Sequence, residues 1–309
     1  MSHNSLRILE TPEEMLIVEN LQRTIWPGSE VDIVPAHLLM AVIHNGGLVI
    51  GAVSSEEGNS IDQNTLSADL AFAGFVFGFP GFYQTPDGPR LKHCSHMLGV
   101  DPNQRDKGIG FSLKRAQWQI VRRQGLDLIT WTFDPLLSRN AYLNITKLGA
   151  VCNTYLREMY GEMRDGINAG LPSDRFQVDW WVNTQRVNRR LSRRARLPLD
   201  LAHYVAGGAE VINPSVIDES GAPHPTTVDV ESYEVSLTGG LGPILLVEIP
   251  SGFSALKVTN PTLALEWRTH SRYLFESLFA RGYLVTDFVH LPGTHPRSYY
   301  VLSYGEATL

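Results

Sequence analysis

Leu98-Gly-Val-Asp-Pro-Asn-Gln-Arg-Asp-Lys-Gly-Ile-Gly-Phe111 is the stretch on which the reading of this chain turns. Leu98 and Val100 alternate as the end of an apolar strand, and Pro102 stops it. Arg105-x-x-Gly108-x-Gly110 then opens a helix. Glycines let backbone amides approach a ligand closely, and a first helical turn leaves its donors without intrahelical acceptors. With the positive end of the helix dipole, these features make an anion site that suits a pyrophosphate. Arg105, Lys107, Lys114 and Arg115 gather positive charge there, in a chain whose net charge is −6. The plain alternative is a glycine-containing helix start with an exposed basic face. A dinucleotide fingerprint would need a third glycine where Gly-Phe-Ser-Leu continues, and a P-loop would need Gly-Lys-Ser or Gly-Lys-Thr. Neither fits.

Outward from this stretch, strands and helices alternate. Gly108–Gln124 reads as a helix with Ile109, Leu113, Ala116 and Ile120 on one buried stripe. Lys92–Val100 precedes it as a strand, and Leu126–Phe133 follows as a buried one. Arg7–Leu9 is a short strand. Thr11-Pro-Glu-Glu14 reads as a capped helix start running to Ile25, with Pro27 as the stop. Pro35–Ile43 is a second helix, Leu48–Ser54 and Leu70–Phe79 are strands, and Arg139–Leu148 is a short helix. Val151–Glu162 and Phe176–Val182 complete an α/β, or α+β layered, domain over residues 1–185.

Arg186, Arg189, Arg190, Arg193, Arg194 and Arg196 follow in a segment poor in apolar residues, which reads as a solvated linker helix. Residues 186–309 form a smaller C-terminal α/β domain. Its strands are Pro243–Ile249, Tyr283–His290 and Ser298–Ser303, with a helix at Pro261–Ala280. The order strand, loop, helix ending Arg281-Gly282, strand matches the first domain, so this part is a candidate degenerate copy lacking the glycine loop.

Composition narrows the function classes. The chain of 309 residues is 43% hydrophobic and 19% charged, enough to bury a sizeable core, and its acidic balance gives nucleic acid no general attraction. Cys94 and Cys152 form neither a disulfide framework nor a zinc pattern. No basic-then-apolar leader opens the sequence, and no apolar run approaches the ~20 residues of a membrane helix. The expectation is a cytoplasmic protein with no membrane or nucleic-acid partner, and a homodimer as one option.

The central stretch resembles the signature of the GNAT superfamily of N-acyltransferases, a strand ending hydrophobic-x-Val-x-Pro before Gln/Arg-x-x-Gly-x-Gly/Ala. Leu98, Val100, Pro102, Arg105, Gly108 and Gly110 match it in order. Downstream, Asn140-Ala-Tyr-Leu-Asn-Ile-Thr-Lys-Leu-Gly-Ala150 keeps Ala141, Lys147 and Gly149 of the family's Ala-x-x-Leu-Tyr-x-Lys-x-Gly-Phe. The likeness covers roughly residues 5–183. Phe133-Asp-Pro-Leu-Leu-Ser-Arg-Asn-Ala141 and Gly170-Leu-Pro-Ser-Asp-Arg-Phe176 resemble a bacterial subfamily of acyltransferases, some tied to N-acylamino-acid metabolism.

The resemblance implies a mixed, splayed sheet flanked by helices, with acetyl-CoA or another short acyl-CoA such as succinyl-CoA as co-substrate and a small amine as acceptor. It implies that the strand of Leu98, Gly99 and Val100 separates from its neighbour, so that its backbone pairs with the pantetheine arm. Gly99 would then mark a bulge, or else pack against a helix. Arg105, Asp106, Lys107, Gly108, Ile109, Gly110 and Phe111 would cradle the pyrophosphate, and Asn140 would reach the pantetheine. At the family's tyrosine acid stands Ile145; Tyr142, three residues earlier on the same helical face, is the substitute, with Tyr155 and Tyr160 as further options. For the base, period-two alternation puts His96 on the face of Leu98 and Val100. His93 and His96, three apart in a strand, are a poor metal pair, and no metal is expected. Glu162 and Arg175 are candidates for holding the acceptor, with an Arg175 ion pair to Asp174 or Asp179 as the ordinary alternative. Because the acid is displaced, a non-catalytic acyl-CoA binding or sensing protein is the second reading.

Overall fold

The structure, a computed structural model, describes residues 5–28, 30–53, 72–161, 170–192, 198–230 and 244–305. Its contacts divide the chain into two compact units, one reaching to Trp131 and the other beginning at Thr132. The boundary expected at residue 185 therefore falls inside the second unit.

In the first unit, strand β1 (Ser5–Ile8) leads into helix α1 (Pro12–Ile25) through the expected capping box. Thr11 Oγ1 accepts from the Glu14 amide at 3.3 Å, and the Glu14 carboxylate accepts from the Thr11 amide at 3.1 Å. Replacing such a cap by alanine costs about 1 kcal/mol. Helix α2 (Ala36–His44) and strands β2 (Leu48–Val53), β3 (Phe72–Thr85) and β4 (Gly88–Val100) follow. β3 and β4 run past the expected bounds and join in a hairpin at Thr85–Gly88. Helix α3 (Ile109–Arg123) crosses to β5 (Leu128–Phe133). Strands β1 to β5 lie in sequence order, antiparallel from β1 to β4, with β4 and β5 parallel.

Two cores sandwich this sheet. Met15, Val18, Leu21 and Ile25 of α1 and Leu39 of α2 cover Phe75 and Phe77 on one face. Ile109 and Leu113 of α3 cover Leu48, Ile50 and Val76 on the other, with Leu98, Val100, Ala116 and Ile120 packed at their margin. Each fully buried side chain of this size contributes about 1.5–3 kcal/mol.

The second unit continues with helix α4 (Ser138–Ala141), which passes directly into a π-helical turn at Tyr142–Lys147. Its strands and helices, in chain order, are β6 (Val151–Leu156), β7 (Arg175–Trp181), α5 (Gln185–Leu191), α6 (Leu201–Ala206), β8 (Glu210–Val211), β9 (Val216–Ile217) and β10 (Pro223–His224). Then come β11 (Ile244–Pro250), α7 (Phe253–Thr259), α8 (Pro261–Ala280), β12 (Tyr283–Leu291) and β13 (Arg297–Tyr304). The sheet order is β7-β6-β12-β13-β11-β8, so β6 pairs with β12 through Cys152 and Val285. β13 lies between β11 and β12, whereas β4 and β5 are direct neighbours. The two strand–helix–strand runs thus share element order but differ in pairing.

The arginine run departs from the expected solvated linker. Arg186 Nε donates to the Gly149 carbonyl at 2.9 Å, and its Nη2 donates to the Thr286 carbonyl. Arg190 pairs with the buried Asp287 carboxylate at 2.6 Å, which also accepts from the Tyr204 hydroxyl at 2.9 Å. A charge run alone cannot reveal partners as far as 100 residues away. Asp287 and two carbonyl acceptors hold this helix together with its buried Val187 and Leu191. Arg193, Arg194, Arg196 and Glu162 lie outside the described residues.

Candidate functional site

β4 and β5 pair at His93↔Ile129 and Cys94↔Thr130, and their register goes no further. β4 continues for six more residues to Val100. From Ser95 onward its backbone therefore turns a second edge away from β5, with donors and acceptors that a sheet partner would otherwise occupy. This is the forked mixed sheet that the motif resemblance implied.

The fork begins at a bulge. β3 pairs Phe77 with Met97 but Phe79 with Cys94, so Ser95 and His96 together oppose Gly78. The extra residue inverts the alternation of side chains along β4. Leu98 and Val100 keep to the α3 face, but His96 packs on Phe77 and Phe79, each 5.8 Å away between ring centroids, on the face of α1 and α2. The expectation that His96 shares a face with Leu98 and Val100 is thus corrected. His96 keeps an edge open to solvent, while desolvation against the two rings lowers its pKa below the ordinary histidine value. It is therefore neutral at physiological pH and able to accept a proton.

Gly99 is not the bulge. It pairs regularly with Phe75, and a Cβ there would stand 2.6 Å from Ile25 Cδ1 and 2.9 Å from the Trp26 ring. Close approach of α1 is what requires glycine at that position. Gly78 is equally constrained, since a Cβ would fall 2.3 Å from His93 Nε2 and 2.6 Å from the Cys94 carbonyl.

At the start of α3, Asp106 (φ 65°) and Gly108 (φ 77°) both adopt left-handed backbone. A Cβ at Gly108 would meet nothing within 4 Å, so conformation and not space selects glycine. The first intrahelical bond is Ser112 N–H to the Gly108 carbonyl at 3.0 Å, which leaves the amides of Ile109 and Gly110 with no carbonyl one turn back. Arg105, Asp106 and Lys107 are exposed beside them, and Lys107 donates to Gln104 at 2.8 Å.

Lys114 does not belong to that basic surface. It is 1% exposed and points from α3 to the sheet, where its Nζ donates to Ser95 Oγ at 2.7 Å and lies 3.7 Å from the centroid of the Trp131 ring. Ser95 donates in turn to Gln117 Oε1 at 2.9 Å, and Gln117 Nε2 is 3.1 Å from His93 Nε2. That contact makes His93 Nε2 the acceptor, and its protonated Nδ1 is buried without a partner among the described residues. Burial pulls the Lys114 ammonium down to about 7 and the His93 imidazolium to about 3. Sequence reasoning missed this buried chain. Its signal was two polar residues, Lys114 and Gln117, three apart beside the apolar stripe of one helix.

In the second unit, Tyr160 holds a hydroxyl contact of 2.7 Å to Thr132 Oγ1 at the end of β5, and Arg175 lies 5.5 Å over its ring. Arg175 is 6% exposed and donates to the Asp174 carbonyl at 2.9 Å. The Asp174 carboxylate, one of the two partners in the alternative reading of Arg175, accepts from Nε and Nη2 of Arg272 at 2.8 and 2.9 Å and from the Tyr155 hydroxyl at 2.8 Å. Burial drives the Tyr155 phenol well above its usual value, and its hydroxyl is engaged in donating to Asp174. Tyr142 is 37% exposed whereas Ile145 is fully buried, because the π turn bonds Leu148 N–H to the Leu143 carbonyl and takes residues three apart off a common face. The shared face expected of those two residues is corrected accordingly. Asn140 is half-buried on α4. Among the described residues, no group of three or more His, Cys, Asp or Glu side chains could hold a metal ion. Nor is any helix there long and apolar enough to cross a membrane.

No family model matches the sequence, and no curated protein matches it either. Solved structures similar to it include NAA60 of Arabidopsis thaliana in complex with acetyl-CoA, at 15% identity and TM-score 0.43 over 58% of this chain and 99% of that one. A Desulfovibrio desulfuricans protein assigned to the GNAT family of acetyltransferases is 16% identical, with TM-score 0.40 over 58% of this chain and 99% of its own. IAA acetyltransferase from Bacillus cereus is 16% identical, with TM-score 0.37 over 57% of this chain and 98% of its own.

Proposed function

We propose that the chain is an acyl-CoA-dependent N-acyltransferase acting on a small amine such as an amino acid, with acetyl or succinyl as the transferred group. The observation that carries this reading is the fork of β4 from β5 beyond Cys94, together with the left-handed glycine turn that opens α3. The released edge of β4, Ser95 to Val100, offers amides and carbonyls to the amide-rich pantetheine arm. The amides of Ile109 and Gly110, with Arg105 and Lys107, suit the pyrophosphate.

Transfer is direct. The amine nitrogen attacks the thioester carbon, a C–N bond forms, and the C–S bond breaks with its electron pair going to sulfur. A β4 amide beside the fork stabilises the oxyanion. Neutral His96 takes a proton from the acceptor ammonium and so frees the lone pair that attacks, and the departing thiolate takes a proton from Tyr142, Tyr160 or water. Asn140 is assigned to the pantetheine and Arg175 to an acceptor carboxylate. A fully buried Ile145 at the family's tyrosine position favours one rival, an acyl-CoA sensor that binds without turnover.

Calorimetric titration with acetyl-CoA and succinyl-CoA tests the reading, on the wild type and on Gly110→Trp. Binding that the variant loses, followed by amide formation in an amine screen, is the expected outcome. Binding without turnover supports the sensor, and no binding of either ligand ends both readings.

A further inference from the structure

The register of β4 and β5 stops at Cys94↔Thr130, and the next position would pair Ser95 with Trp131. One side chain reaches both of these residues. Lys114 Nζ is 2.7 Å from Ser95 Oγ and 3.7 Å from the Trp131 ring centroid, and the β4 bulge at Ser95 and His96 lies at the same level. We infer that Lys114 is a positioning residue that sets where the fork opens, by holding Ser95 out of register with Trp131. The inference rests on reading the fork as the acyl-CoA cleft.

Packing alone is a poor account of a lysine here. All three residues are buried, at 1%, 3% and 7% exposure for Lys114, Ser95 and Trp131. No carboxylate within ion-pair distance of the amine is found among the described residues, and its direct contacts are a hydroxyl and a ring face, a weak return for its desolvation. A methionine would fill the same volume at less cost. What methionine would not do is bind the Ser95 hydroxyl. Ser95 in turn is fixed from the other side by Gln117, which is anchored on His93. The bulge therefore hangs from α3 by one polar chain, and Lys114 is the link nearest the fork. Without that link, Ser95 can drop into register opposite Trp131 and the strands close by one step.

The test compares the wild type with Lys114→Met and Ser95→Ala, which break the same contact from opposite ends. Two readouts are taken, amide hydrogen exchange along Ser95–Leu98 and calorimetric binding of acetyl-CoA. In both variants, exchange in this segment is expected to slow by ~5–10-fold as a backbone pair forms. Acetyl-CoA binding is expected to weaken by at least ~10-fold, while the melting temperature of Lys114→Met holds or rises. Unchanged exchange in folded variants overturns the inference even if the wild type binds acetyl-CoA. Slowed exchange with a wild type that binds no acyl-CoA keeps the positioning role and rejects the cofactor reading.

Discussion

Replacing Lys114 by methionine makes a prediction whose size follows from burial alone. In the folded chain the amine is held at about 7 against an ordinary 10.5, because desolvation disfavours its charged form. The folded-state pKa is depressed, so between these values the unfolded chain carries a proton that the folded chain lacks. Stability therefore rises with pH across this window, at about 1.36 kcal/mol per pH unit. Between about pH 8 and about pH 9.5 the wild type gains roughly 2 kcal/mol from this group, and Lys114→Met gains none of it. Of the titratable neighbours, His93, at about 3, stays neutral throughout, and burial raises the Cys94 thiol in both proteins, less in the wild type because the Lys114 charge opposes that rise. Urea unfolding of both proteins at several pH values in this range measures the gap. A gap that narrows by about 2 kcal/mol toward the alkaline end is expected. A gap constant with pH would mean that the amine is charged in the folded state or reached by water, and the reasoning would be refuted.

Other expectations follow from single contacts. Gly78→Ala drives a methyl into the His93 ring and the Cys94 carbonyl, so a loss of about 1–3 kcal/mol in denaturant unfolding is expected. Asp134→Ala strands Arg268, which is 2% exposed, pairs with Asp134 at 2.6 Å and already has Nε and Nη1 without partners among the described residues; unfolding should show a cost of about 3–5 kcal/mol. If His96 is the base, kcat/KM rises with pH along a limb below the ordinary histidine value, and His96→Ala lowers it by ~10²–10⁴-fold. A pH profile that survives His96→Ala unaltered would remove it from that role.

Most elements were legible because each rests on a local cause. Thr11, Pro12 and Glu14 specify a helix start within four residues, and α8 spans the expected Pro261–Ala280. Strand ends were less legible: β3 and β4 extend into a hairpin where large apolar residues such as Phe82 and Leu91 take exposed positions, so residue type does not follow the face. Arg186 and Arg190 looked solvated because their partners, at Gly149, Thr286 and Asp287, are distant in sequence.

By itself the sequence determined the glycine turn before α3, since left-handed backbone at Gly108 is a demand of local geometry. It also determined the strand–helix–strand run around that turn, through periodicity. Only the tertiary structure decided which way His96 faces and where β4 leaves β5. Both depend on one extra residue opposite Gly78, and period-two alternation carries no mark of such an insertion. The role of Lys114 was hidden for the same kind of reason. A lysine on a helix reads as surface until the fold supplies Ser95 and Trp131 to either side of it.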